Sequence, residues 1–179
     1  MNAVLTTDRL IIREASLGDA AFILQLVNDK GWLTYIGDRN IKTIPAAENY
    51  IQKSLLSAYK KDGFGLFLVA LKNTNTCIGM CGLVNRPTLD NIDIGFAFLN
   101  ESCGKGYGYE SAKATIDYAL NTLNLEKVLG ITLATNIPSQ KLLKKIGLTL
   151  EKEYTNDEGE EMIMYGVERP KHSTKVKIF

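Results

Sequence analysis

The feature that most constrains this chain is a run of alternate glycines, Gly104-Lys105-Gly106-Tyr107-Gly108, between an apolar segment and a helical pattern. Alternate glycines let the backbone take positive φ and admit close approach of another group. A helix that opens there presents unpaired N–H groups and the positive end of its dipole. Such a segment is either a phosphate cradle or a tight turn between strand and helix. Two familiar phosphate loops do not fit. A Walker A loop ends in Lys-Ser or Lys-Thr, and neither follows these glycines. A dinucleotide fingerprint is G-x-G-x-x-G at the first strand. Here the spacing is G-x-G-x-G, it follows the fourth strand, and no acidic residue stands at a strand end about 20 positions on.

The rest of the chain gives that loop its setting. Arg9–Arg13 reads as a strand. Ser16 with Asp19 opens a helix over 17–28 in the manner of a capping box, with Phe22, Ile23, Leu26 and Val27 at helical spacing. Trp32–Ile36 forms an aromatic linker between Gly31 and Gly37. Thr43 caps a second helix with Pro45 in its first turn, running to Lys61 before Gly63. Strands follow at 66–71, 77–84 and 91–99, then a helix over 109–123, a strand over 127–135 and a helix over 137–146. A hairpin, 148–154 and 162–167, turns at Asn156–Gly159. The order β-α-α-β-β-β-α-β-α-β-β predicts a mixed α/β fold with a central sheet of seven strands and helices on both faces. Its first half is antiparallel, and the strands joined through helix 109–123 are parallel.

Composition removes whole classes of function. The 179 residues suffice for one domain with a full core. With 21 Lys plus Arg against 20 Asp plus Glu, the net charge is +1 and gives no reason to expect nucleic acid or an anionic membrane as partner. The longest apolar stretch, Leu66–Leu71, is far short of the roughly 18 residues of a membrane span, and the amino terminus lacks the pattern of a signal peptide. Cys77, Cys81 and Cys103 read as free thiols of a reducing cytoplasm. Cys77 and Cys81, four apart on one strand, are expected on one face as core. The single histidine, His172, excludes a Ser-His-Asp triad and a multi-histidine metal site.

The loop, followed by Glu110 and Ala112, resembles the acetyl-CoA pyrophosphate loop of the GCN5-related N-acetyltransferases (GNAT). That family's Gln/Arg-x-x-Gly-x-Gly/Ala reads here Cys103-x-x-Gly106-x-Gly108, with Cys103 replacing the usual Gln or Arg. Leu5-Thr6-Thr7-Asp8-Arg9-Leu10, Tyr35–Arg39, Ile94-Gly95-Phe96, and Asn136–Ser139 through Lys145–Leu148 resemble the branch of ribosomal-protein N-terminal acetyltransferases, over residues 5–168.

The resemblance implies an N-acetyltransferase domain over 1–168 with a polar tail over 169–179. It implies acetyl-CoA as cosubstrate without a metal, a protein N-terminus or small amine as acceptor, and a cytoplasmic monomer or homodimer. Backbone of Ala97, Phe98 and Leu99 is expected along the pantetheine, and Cys103, Gly104, Lys105, Gly106, Tyr107 and Gly108 around the pyrophosphate. The amine would attack the thioester directly, through a tetrahedral intermediate, with strand N–H groups holding the oxyanion. Asn136 would bond the pantetheine, or cap the helix after it. Ser139 would pass a proton to the departing thiolate. The tyrosine that other branches place seven positions after the asparagine is here Leu143. Asp93, the charged residue of an apolar strand in phase with Gly95 and Ala97, is the candidate base; otherwise it is an exposed strand-end carboxylate. Glu14, Asp38 or a water chain are then the alternatives. Trp32, Tyr35 and Arg39 would shape the acceptor pocket, unless Trp32 and Tyr35 bury against the sheet. The rival reading is a non-enzymatic CoA-binding or regulatory domain that keeps the loop.

Overall fold

Alternating and continuous apolar runs pair into one eight-stranded sheet in the computed structural model, which describes residues 3–170. His172 and the tail from residue 171 lie outside the described residues. The strands are β1 (Ala3–Thr6), β2 (Leu10–Arg13), β3 (Leu66–Leu71), β4 (Cys77–Val84), β5 (Asp93–Phe98), β6 (Lys127–Leu133), β7 (Thr149–Thr155) and β8 (Glu161–Glu168). Their order is β1-β2-β3-β4-β5-β6-β8-β7. The neighbours β5 and β6 are parallel, and every other neighbouring pair is antiparallel. The eighth strand, absent from the sequence reading, is β1. It is a short edge whose residues are half-buried or exposed, so no apolar alternation marks it.

The helices form where caps and periodicity place them. Ser16 N–H donates to Asp19 Oδ2 at 2.8 Å, and a short 3-10 turn leads into α1 (Ala20–Val27). The aromatic linker is a helix, α2 (Lys30–Tyr35). Asp29 caps it by accepting from Gly31 N–H at 2.9 Å, and Gly37 ends it at φ +95°. Thr43 caps α3 (Ile44–Tyr50), which continues through a π-helical stretch, Ile51–Leu56, into α4 (Ser57–Asp62). Then come α5 (Tyr107–Asp117), extended by a π-helical stretch at Tyr118–Thr122, and α6 (Ile137–Lys145). None of the described helices is long and apolar enough to cross a membrane.

The sheet separates two cores. On one face Ile94, Val128, Ile163 and Tyr165 pack against Ala112, Ile116 and Leu143 of α5 and α6. On the other, Leu68 and Met80 pack against Ile23, Trp32, Ala47 and Ile51 of α1–α3 and the π-helical stretch. Each buried Leu, Ile, Val or Met side chain contributes about 1.5–3 kcal/mol of hydrophobic transfer, so both layers hold the sheet. Cys77 and Cys81 do not share a face. Val69 pairs with Gly79 and Ala70 with Cys77, so Ile78 is an extra residue on β4. This bulge shifts the side-chain phase: Cys81 lies in the α5/α6 core and Cys77 packs against the other. Burial pushes the Cys81 thiol up to about 11.

Candidate active site

A cleft opens where β5 and β6 part. They share one register pair, Asp93 with Leu129, and Leu129 N–H donates to Ile92 C=O at 2.9 Å. Beyond that point β5 stays paired with β4 as far as Phe98, and β6 with β8 as far as Leu133. The β5 edge facing β6 is thus free of a strand partner, and Gly95 to Phe98 are only partly buried.

Alternation decides what that edge offers. Successive backbone groups of a strand point to opposite edges. Leu99 N–H donates to Ile78 C=O on the β4 side at 3.0 Å, and Ala97 C=O lies 2.5 Å from the Cβ position at Gly79 of β4. Ile92 C=O points to β6. The residues in phase with Ile92, namely Phe96 and Phe98, therefore turn N–H and C=O into the cleft. Of the three residues expected along the pantetheine, Phe98 meets this condition. Ala97 and Leu99 are turned to β4, and Phe96 is the other residue that faces the cleft with Phe98.

The cleft runs toward the glycine loop. Gly104 and Gly106 hold φ at +76° and +84°, the left-handed region that favours glycine. Gly106 is the N-cap of α5 and brings no side chain to cap it. Glu110 N–H starts the helical ladder by bonding Gly106 C=O at 3.1 Å. Among the described residues no acceptor meets the N–H groups of Gly104 to Gly108, so this helix start is open to an anion. Gly108 serves differently from the other two glycines. It is helical, and a Cβ there would meet Leu142 at 3.4 Å and the Phe98 ring at 3.6 Å, so α5 runs beside β5 and α6 at this point. Lys105 and Cys103 are exposed, and Tyr107 is half-buried. Burial, aided by the charge of Asp29, raises the Cys103 thiol.

At the root of the cleft Asp93 is 1% exposed, so it is not an exposed strand-end carboxylate. By alternation it lies opposite α5 and α6, on the face of α1–α4. Arg86 Nε donates to both its oxygens, at 3.0 and 3.1 Å. Burial raises the carboxyl, Arg86 lowers it, and the outcome stays above the usual carboxylate range. Glu14 and Asp38 are exposed, and Asp38 is tied to Lys42.

Asn136 follows β6 as the N-cap of α6, its Oδ1 accepting from Ser139 N–H at 3.2 Å. The capping alternative is therefore realised, while the Asn136 amide nitrogen is not engaged in the cap. Gln140 holds this corner. Its Nε2 donates to Ala134 C=O at 2.7 Å, and its Oε1 accepts from the buried Tyr165 hydroxyl at 3.2 Å. Ser139 is half-buried in the first turn of α6, and Leu143 is buried in the core beneath it. On the other side of the sheet Trp32 is buried, whereas Tyr35 and Arg39 are exposed, so Trp32 is core and the other two remain free to meet an acceptor. Asp29, the cap of α2, also accepts from Asn100 N–H at 3.2 Å and ties that helix to the chain just after β5.

Sequence reasoning missed Phe96, Arg86, Gln140 and Arg9. Arg9 enters the sequence reading as the start of a strand and inside the Leu5–Leu10 segment, without a role of its own.

The Acetyltransferase (GNAT) domain family matches residues 9–149. The chain is 29% identical over 147 residues to the uncharacterized N-acetyltransferase YnaD of Bacillus subtilis (strain 168), covering 82% of this chain and 83% of that protein. The fold is similar to a GNAT-family acetyltransferase from Bacillus anthracis, with a TM-score of 0.79, 22% identity, and 92% and 98% of the two chains covered. It is also similar to the RimL ribosomal L7/L12 alpha-N-protein acetyltransferase in complex with coenzyme A, with a TM-score of 0.81, 16% identity, and 93% and 98% covered.

Proposed function

Because the chain belongs to the GNAT acetyltransferase family, we propose that it moves an acetyl group from acetyl-CoA to an amine, either a protein N-terminus or a small amine, as one domain over residues 1–168. The observation that carries this reading is the parted β5–β6 cleft ending on an uncapped helix whose N–H groups lack acceptors. Acetyl-CoA, when bound, supplies an activated thioester. Phe96 and Phe98 would bond the pantetheine as an added strand, and a cleft N–H would hold the developing oxyanion. Gly104 to Gly108 would receive the pyrophosphate. The Asn136 amide nitrogen would donate to the pantetheine, and Ser139 Oγ would hand a proton to the departing sulfur. Asp93 would take the proton of the amine, directly or through water; a raised carboxyl suits a base better than an ordinary one. Tyr35 and Arg39 would contact the acceptor.

Thermal unfolding with added ligand, paired with free-thiol release across a panel of amines and peptides, tests this. Acetyl-CoA should raise the melting temperature by mass action, and ATP or NAD should do less at matched concentration. Thiol release that depends on an added amine is the expected second result. Protection without any amine-dependent release would favour the non-enzymatic reading, and protection by ATP alone would overturn both.

A further inference from the structure

The turn between β1 and β2 reaches across the sheet edge to α5. Glu110 Oε1 accepts from Thr7 Oγ1 at 2.6 Å and from Arg9 N–H at 2.8 Å, and Glu110 Oε2 accepts from Arg9 Nε at 2.7 Å. Thr7 Oγ1 in turn accepts from Leu10 N–H at 3.1 Å, so the turn itself is held. The rest of the guanidinium grips the glycine loop. Nη1 donates to Lys105 C=O at 3.1 Å, the group stands 4.7 Å over the Tyr107 ring, and Nη2 lies 3.2 Å from the Cβ position at Gly106.

An acid in the first turn of a helix competes with an anionic ligand for the same positive end. Left alone, Glu110 would oppose a pyrophosphate at the N–H groups of Gly104 to Gly108. Arg9 cancels that charge and at the same time engages the Lys105 carbonyl of the loop in a hydrogen bond. The pair is neutral as a whole, so its effect on an anion is to shape the loop and remove a repulsion rather than to add a long-range field.

We infer that Arg9 is a positioning residue for the pyrophosphate of acetyl-CoA, acting through Glu110 and the Lys105 carbonyl. This rests on the acetyl-CoA reading above and deepens it.

Calorimetric titration of coenzyme A into the unaltered chain, Arg9→Ala, Arg9→Lys, Glu110→Gln and the double variant Arg9→Ala/Glu110→Gln tests it, with folding checked by circular dichroism. Arg9→Ala should weaken binding on the order of tenfold, because it frees a carboxylate beside the ligand and releases the loop. Arg9→Lys, which keeps the charge without the fork, should lose less. The double variant should bind more tightly than Arg9→Ala alone, since the uncompensated acid is gone; a role in folding alone would leave the affinity of every folded variant unchanged. Unchanged affinity in folded Arg9→Ala, or a double variant weaker than Arg9→Ala, would overturn the strap alone. Failure of the unaltered chain to bind coenzyme A would overturn both the strap and the proposed function.

Discussion

Arg9–Glu110 at the glycine loop and Arg86–Asp93 at the cleft root are both contacts from an arginine Nε to a carboxylate, at 2.7 and 3.0 Å. Yet the two acids end on opposite sides of their ordinary range. For each, burial is the largest influence and pushes upward. Glu110, 16% exposed, is turned back by Thr7 Oγ1, Arg9 N–H and Arg9 Nε, and ends lowered. Asp93 has a side chain 1% exposed and a single basic partner, Arg86, whose own side chain is 41% exposed; it ends raised. The number of donors relative to the solvent lost decides whether an arginine partner makes a permanent charge or a proton acceptor. By that measure Glu110 keeps its charge to lower pH than an ordinary carboxylate, and Asp93 gives up its proton only at higher pH.

The largest expected effect breaks the comparison at Asp93. Asp93→Asn should lower kcat about a hundredfold and abolish the acidic limb of the pH–rate profile, because an amide of the same shape takes no proton. Near-normal turnover with the profile intact, in a folded variant, would leave a water chain as the base.

A smaller effect sharpens the comparison through the partner. Arg86→Gln removes the lowering influence on Asp93 and leaves its burial, so the acidic limb of kcat should move to higher pH. Arg9→Ala should leave that limb in place and act on coenzyme A affinity. A limb that fails to move in Arg86→Gln would mean that Asp93 does not set it.

The smallest effect is on stability, about 1 kcal/mol or less at the Arg9–Glu110 pair. The folded pKa of Glu110 is lowered, so its contribution is present above its unfolded value and is lost as pH falls through the folded one. The folded pKa of Asp93 is raised, so its contribution is full below its unfolded value and is lost as pH rises through the folded one. Urea midpoints measured across pH should show Glu110→Gln flattening the acid side of the curve. Asp93→Asn should instead remove the loss just above the ordinary carboxylate range. The same change in both variants would erase the distinction between the two pairs.

Local rules made much of this protein legible without a structure. The open helix start at Gly106, the caps at Thr43 and Asn136, and the end of a helix at Gly63 are set by backbone conformation and by side chains within a few residues. The antiparallel run from β3 to β5 and the parallel pair across α5 follow from connection lengths. Even the family resemblance rests on such short segments, and the match over residues 9–149 bears it out.

What only the tertiary structure decided depends on residues far apart in the chain. The helix α2 is held where Trp32 enters a core shared with Leu68 and Met80 of β3 and β4. Which β5 groups face the cleft is decided by pairing with β4 on one side and by Ile92 meeting Leu129 on the other, and no pattern within residues 93–98 contains either fact. Asp93 is identical in sequence whether exposed or buried; Arg86 and the packing around it make it the raised, half-compensated acid it is. Arg9 meets Glu110 across 101 positions because folding lays the β1–β2 turn beside the start of α5. Sequence alone determined where the backbone could bend, cap and open, since those energies act within a turn or two. Burial and long-range charge pairing, which set the direction in which each acid is shifted, arise only when the sheet is assembled.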